Sequence, residues 1–230
     1  MQVSAKILIT SFVVAIISLS NKPQAENIAY KQLWIDCKLE HVLSFEVFNR
    51  AVLGYHHIDN LKKKNIISII DFTKPSTEKR FFVIDLENKQ LLYECLVSHG
   101  KNSGDNYAKS FSDEPGSLKS SLGFFLTAET FSGDHGYSLK LDGLERNING
   151  NARSRAIVIH GAEYVSEEFI KKYERLGRSW GCPALPVKIS KEIIDKISGG
   201  SCLFIYADDN YYKENSVFLK KNLYPHKPHY

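Results

Sequence analysis

The chain has 230 residues, 43% hydrophobic and 24% charged, with a formal net charge of +4 at neutral pH. The apolar share is enough for a packed core, and the small positive charge gives no basis for a nucleic-acid module. The length suits one domain, or one domain with a helical appendage.

Residues 1–25 carry Lys6, an apolar run from Ile7 to Leu19, and a polar stretch ending in Ala25. This is the layout of a secretory signal peptide. The run falls short of the roughly 20 apolar residues of a membrane-spanning helix, so the expectation is cleavage near Ala25 and no stable membrane insertion afterwards. Losing Lys6 and Lys22 lowers the net charge to +2, since residues 1–25 hold no acid. The mature chain is expected to be exported, to a periplasm or cell envelope.

Residues 26–65 read as a helical N-terminal segment. Between about residues 33 and 60, Leu39, Val42, Leu43, Val47 and Ala51 recur at helical spacing and predict an amphipathic helix. The basic run Lys62, Lys63, Lys64 reads as a solvated helix end. From Ile66 the pattern changes to short runs rich in Ile, Val, Phe and Tyr: "IISIIDF", "RFFVIDL", "QLLYECLVSH", "FFLTAETF", "AIVIHG" and "CLFIYA". These predict strands. "DLENKQLL" predicts a hairpin turn with Asn88 near its tip, and "ISKEIIDKIS" a helix opening at Ser190 with Glu192 in its first turn. Residues 66–212 thus form the main domain, and 213–230 are expected to be a surface extension.

The four cysteines are Cys37, Cys95, Cys182 and Cys202. Their spacing matches no compact disulfide scaffold and no CxxC pair. Cys95 and Cys202 lie in apolar strand-like runs, where a small buried thiol is the simplest reading. Cys182, in "GRSWGCPALP", has no such run around it. His160 ends the "AIVIHG" strand 22 residues earlier. An imidazole that takes a thiol's proton can bring the thiol pKa to ~3 to 7 and make a nucleophile of it. Pro183 disfavours a helical conformation at Cys182 and offers no amide hydrogen, so oxyanion donors must come from the amides of Trp180, Gly181 and Cys182. Gly181 permits the sharp turn that would aim them inward. Spacing alone leaves a structural cysteine open as well.

"IVIHGAEYV" followed by "GRSWGCPAL" resembles the catalytic signature of the YkuD-like L,D-transpeptidases, a histidine-glycine pair preceding a Ser/Thr-x-Gly-Cys motif. The likeness is closest to the murein L,D-transpeptidase branch and extends over roughly residues 66 to 208. It implies an α+β fold, a mostly β sandwich-like domain with a few helices. It also implies that Cys182 is the acyl-accepting nucleophile, that His160 is its base, and that the Gly161 carbonyl orients the imidazole, with Ser179 and Gly181 at the other motif positions. Two positions depart from the commoner pattern: Trp180, where His is frequent, and Ala184, where Arg or Asn is frequent. Arg178 or Arg155 is expected to fill the second gap at the substrate. Tyr137 and Trp180 are expected as cleft walls, with His135 and His99 lining the cleft or competing with His160.

The implied partner is a peptidoglycan stem peptide, and the implied reaction is acyl transfer to an amine, or to water as an L,D-carboxypeptidase, with no metal and no organic cofactor. Two other readings stay open at this level. One is a zinc-dependent murein peptidase with His99, His135, His160 and Cys182 as ligands. The other is a non-catalytic cell-wall-binding module that keeps the fold.

Overall fold

The computed structural model describes residues 22–220. The apolar leader lies outside these residues, as does the end of the expected C-terminal extension. Lys22 to Ala25, at the expected cleavage point, open helix α1 (Lys22–Asp36). Among the described residues, no helix is long and apolar enough to cross a membrane.

The single helix expected around residues 33–60 is two helices, α1 and α2 (Phe45–Tyr55). Ser44 separates them. Its side chain accepts from the Val47 amide and caps α2, a role this residue takes more readily than a place inside a helix. Lys38 takes a left-handed conformation, φ 57°, and turns the chain between the helices. Leu39, Leu43, Val47 and Ala51 are all buried, two from the turn and two from α2.

Eight strands follow: β1 (Ile66–Asp71), β2 (Phe81–Asp85), β3 (Gln90–Cys95), β4 (Gly123–Gly133), β5 (Gly136–Gly143), β6 (Val158–Gly161), β7 (Ala184–Leu185) and β8 (Cys202–Tyr206). They form one mixed sheet in the order β3-β2-β1-β8-β4-β5-β6-β7. β1 runs antiparallel to β2 and parallel to β8, and every residue of all three is buried, as strands covered on both faces require. Just past β3, Ser98 bridges Ala184 of β7 and its amide donates to the Ala184 carbonyl. The two ends of the sheet therefore meet, and the sandwich-like domain is one sheet curled around its core.

The β2–β3 hairpin has the expected turn. Asp85 accepts from the amides of Glu87 and Asn88, and Lys89 at φ 54° completes the reversal. Helix α3 (Glu167–Tyr173) follows β6, and the late helix, α4 (Val187–Ile197), begins three residues before the expected Ser190, which lies buried inside it and donates to the Val187 carbonyl. Pro186 sets this start: its fixed φ suits a helix entrance, and α4 carries no side-chain cap.

The apolar core runs across the boundary expected near residue 65. Val47, Phe48, Ala51 and Val52 of α2 belong to the same apolar core as the sheet. Between Tyr212 and Lys220 the chain packs back onto this core. Helices α5 (Asn210–Asn215) and α6 (Val217–Lys220) bury Tyr212, Ser216 and Phe218. The Phe218 ring lies 5.0 Å from Phe124, which stacks at 4.3 Å on Phe204 of β8. Buried Glu145 ties this end down, accepting from the Phe124 amide, the Tyr212 hydroxyl and the Ser216 hydroxyl.

Candidate active site

β6 and β7 pair in parallel with His160 opposite Ala184, and the His160 amide donates to the Pro183 carbonyl at 3.4 Å. This register brings the end of one strand beside the turn that precedes the other. His160 and Cys182 therefore line one open cavity of about 440 Å³, together with His135, Arg155, Arg178 and Trp180.

The turn is held by its own side chains. Ser179 Oγ donates to the Cys182 carbonyl at 2.6 Å and accepts from the Gly181 amide at 3.1 Å. Each such bond contributes about 1 kcal/mol net. Gly181 sits at φ 129°, and a Cβ there would lie 2.8 Å from the Lys119 carbonyl oxygen, so both conformation and close approach call for glycine. Its amide is committed to Ser179, so of the three expected oxyanion donors the Gly181 amide is already used within the turn. Ser179 is buried, lines the cavity and organises the turn through these bonds.

His160 is almost fully buried, and its Nδ1 lies 3.0 Å from the Gly161 carbonyl oxygen. A carbonyl only accepts, so Nδ1 carries the hydrogen and Nε2 is the basic nitrogen of the neutral ring. Gly161 is required here by packing: a Cβ would meet Ser190 Oγ of α4 at 2.5 Å. Burial above all, with His135 as a neighbouring charge, lowers the His160 pKa, against the raising effect of the Gly161 bond.

The thiol does not bond to the imidazole. Cys182 Sγ accepts from the Val158 amide at 3.5 Å and points to the Ala156 carbonyl oxygen at 3.7 Å. Burial raises its pKa, partly offset by the Val158 amide and Arg155. In this rotamer the thiol and the imidazole share the cavity without a hydrogen bond between them.

The two expected arginines differ. Arg155 has a buried side chain whose donors go to the Ser112 carbonyl at 2.9 Å, Ser121 Oγ at 2.6 Å, Ser117 Oγ at 3.3 Å and the Lys119 carbonyl at 2.8 Å. It fastens the loop over Gly181, leaving its guanidinium little to offer a ligand. Arg178, about a quarter exposed, bonds the Gly104 carbonyl at 3.1 Å and Asp105 at 2.6 Å and keeps a face on the cavity. Trp180 stands 73% exposed at the rim. Tyr137 is not a wall of the cavity: its hydroxyl donates to Asp195 of α4 at 2.6 Å, with the Lys191 ammonium 5.2 Å from its ring.

His99 is also outside the cavity. It is fully buried, with Nδ1 2.8 Å from Arg80 Nη2 and Nε2 3.3 Å from the Gly104 carbonyl oxygen. Arginine only donates, so Nδ1 accepts and Nε2 carries the hydrogen. The His99 carbonyl in turn accepts from the Ser179 amide at 3.0 Å, which links this buried pair to the cysteine turn. Burial first, then the Arg80 charge, lowers the His99 pKa to about 4. Between that value and the ordinary histidine value of about 6.5, the folded state binds fewer protons than the unfolded state, so stability rises with pH across this window. Acidification from pH 7 to 4 is expected to remove about 3 kcal/mol through this group. Urea unfolding across that range checks it: His99→Gln should be less stable at pH 7 and clearly flatter in its pH dependence, and an unchanged slope refutes the assignment.

The zinc reading needed His99 beside His135, His160 and Cys182. Among the described residues no three His, Cys, Asp or Glu side chains gather into a metal-holding group. All four cysteines are free thiols, and Cys37, Cys95 and Cys202 are buried.

A family model described as the L,D-transpeptidase catalytic domain matches residues 39–206. The chain belongs to the L,D-transpeptidase catalytic domain family. The match takes in α2, as the shared core does. Similar solved structures include an L,D-transpeptidase from Mycobacterium smegmatis, 13% identical, with 62% of this chain and 59% of that chain covered and a TM-score of 0.39. L,D-transpeptidase 3 from Mycobacterium tuberculosis is 10% identical, with 62% and 61% covered and a TM-score of 0.39. An L,D-transpeptidase from Xylanimonas cellulosilytica is 14% identical, with 62% and 60% covered and a TM-score of 0.35. The chain thus spans about three fifths of the length of the solved structures it matches, and membership rests on the sequence match. A comparison with curated proteins gave no match.

Proposed function

We propose that this L,D-transpeptidase family member is an exported, cysteine-dependent peptidoglycan L,D-transpeptidase. The observation that carries the proposal is the shared cavity: one half-buried thiol and one imidazole, oriented through its Nδ1 hydrogen, open on the same space. The donor is the tetrapeptide stem. Cys182 has first to rotate away from the Ala156 carbonyl, so that His160 Nε2 can take the thiol proton as the sulfur attacks the carbonyl carbon of the third stem residue. The carbon–nitrogen bond to the terminal D-alanine then breaks, and the His160 imidazolium returns the proton to the departing amine. The product is a Cys182 thioester. An acceptor amine gives up a proton to His160 as it attacks the thioester, and the sulfur leaves and is reprotonated. Water in place of the amine gives L,D-carboxypeptidase activity. The amides of Trp180 and Cys182 are the donors assigned to the oxyanion, and Arg178 and Trp180 the side chains assigned to the stem peptide. No step draws on a metal or organic cofactor.

Incubation with a disaccharide tetrapeptide tests this reading. Intact-mass measurement should show the protein carrying the donor less D-alanine, mapped to Cys182, with free D-alanine released. Turnover that resists thiol-blocking reagents and stops with a chelator would overturn it in favour of metal-dependent hydrolysis.

A further inference from the structure

The β4–β5 hairpin ends in a two-residue tip, Asp134 and His135, between the paired residues Gly133 and Gly136. Gly136, at φ 71°, follows the tip as the left-handed residue with which a bulged hairpin closes. β5 then pairs with β6 so that Ser138 faces His160. The tip therefore folds back over the end of β6, and the His135 ring stacks on the His160 ring, with centroids 4.5 Å apart and planes 22° from parallel. His135 is exposed, whereas His160 is buried beneath it.

We propose that His135 is a positioning residue for the His160 base, its ring forming the wall against which the His160 imidazole is held. This rests on the reading of His160 as the base given above. The Gly161 bond fixes only one ring atom and leaves the imidazole able to tilt about it. A flat aromatic neighbour removes that freedom, and small errors in placing a reacting group are costly.

The stack also acts on charge. Two imidazolium rings at this distance repel, so His135 joins burial in disfavouring the protonated form of His160. The other charged or titratable groups on the cavity are Asp134 from the same tip, Arg155 before β6, Tyr164 after it, and Arg178 and Cys182 from the turn before β7. Helix α4 packs on β6 with Ser190 against Gly161, while its Lys191 and Asp195 pair with each other. Among these groups, His135 is the one whose ring lies on the imidazole.

Two measurements on the full chain test the proposal. The first follows the His160 ring by NMR through a pH titration, with its signals identified by their loss in His160→Gln. In both His135→Ala and His135→Phe the His160 midpoint should move upward. The second is single-turnover acylation by the tetrapeptide donor across pH. His135→Ala should lower the plateau rate by about tenfold, within the range that misplacing a reacting group costs. His135→Phe should recover most of that loss, because it restores the flat wall without the charge. An unmoved His160 midpoint in His135→Ala, an unchanged plateau, or a Phe variant no better than the Ala variant overturns the proposal. If the midpoint moves as expected but acylation is indifferent to His160→Gln, the base reading has failed and takes the positioning role with it, a result distinct from failure of the stack.

Discussion

Replacing Cys182 with alanine is expected to abolish covalent capture of a carbapenem, while the wild-type protein gains the mass of one whole molecule. The sulfur attacks the ring carbonyl, the strained carbon–nitrogen bond opens, and the nitrogen takes the proton, so nothing leaves and the full mass is retained. The other thiols cannot substitute. Burial pushes Cys37 up to about 11 and Cys95 up to about 12, and fully buried Cys202 is raised as well. Almost none of these is thiolate at neutral pH, and none is open to the cavity. The Cys182 pKa is also raised, but its sulfur alone shares a cavity with an imidazole. Intact-mass scans of both proteins, with thermal unfolding to show that Cys182→Ala is folded, make the comparison. An equal adduct on the alanine variant would remove Cys182 from the proposed reaction.

Much of this site is legible in the residues themselves. "AIVIHG" marks a buried strand ending in a polar group, and the proline of Gly-Cys-Pro disfavours a helix at the cysteine; the parallel β6–β7 register that brings the two together shows only in the structure. What escapes the sequence is where hydrogen bonds are spent. Arg155 and Arg178 look alike in the chain, yet four internal acceptors absorb the first. Ser179 matches a motif position, yet its hydroxyl is consumed by the turn it helps to build. The Arg155 outcome depends on a loop, residues 112–121, whose path no periodicity describes.

Strand β5 is a different case, because its signal was present. Tyr137, Leu139 and Leu141 alternate with Ser138, Lys140 and Asp142, the period of a half-buried strand, and both leucines are fully buried. This run is not among the six strands read from the sequence, and with it goes the hairpin that carries His135 to His160. The expectation of Tyr137 as a cleft wall takes no account of which face of this strand the ring occupies. In a strand, Tyr137 faces α4 and Asp195 instead.

Substituting His160 with alanine is expected to slow acylation by ~10² or more, the scale of losing a general base. The neutral ring is the working form, since Nε2 must be free to take the thiol proton. Because burial and His135 lower the pKa of His160, the ring stays neutral to a more acidic pH than free imidazole does. Activity should therefore persist as pH falls through the ordinary histidine range near 6.5, and fail only below it. In His160→Ala that acidic limb should vanish along with the rate. In His135→Ala the limb should remain, displaced upward, because the base is still present but has lost its cover. Single-turnover acylation of both folded variants across pH separates the two roles. If His135→Ala removes the acidic limb and His160→Ala leaves it in place, the proton passes through the hairpin imidazole, and the strand-end histidine is the one that merely supports it.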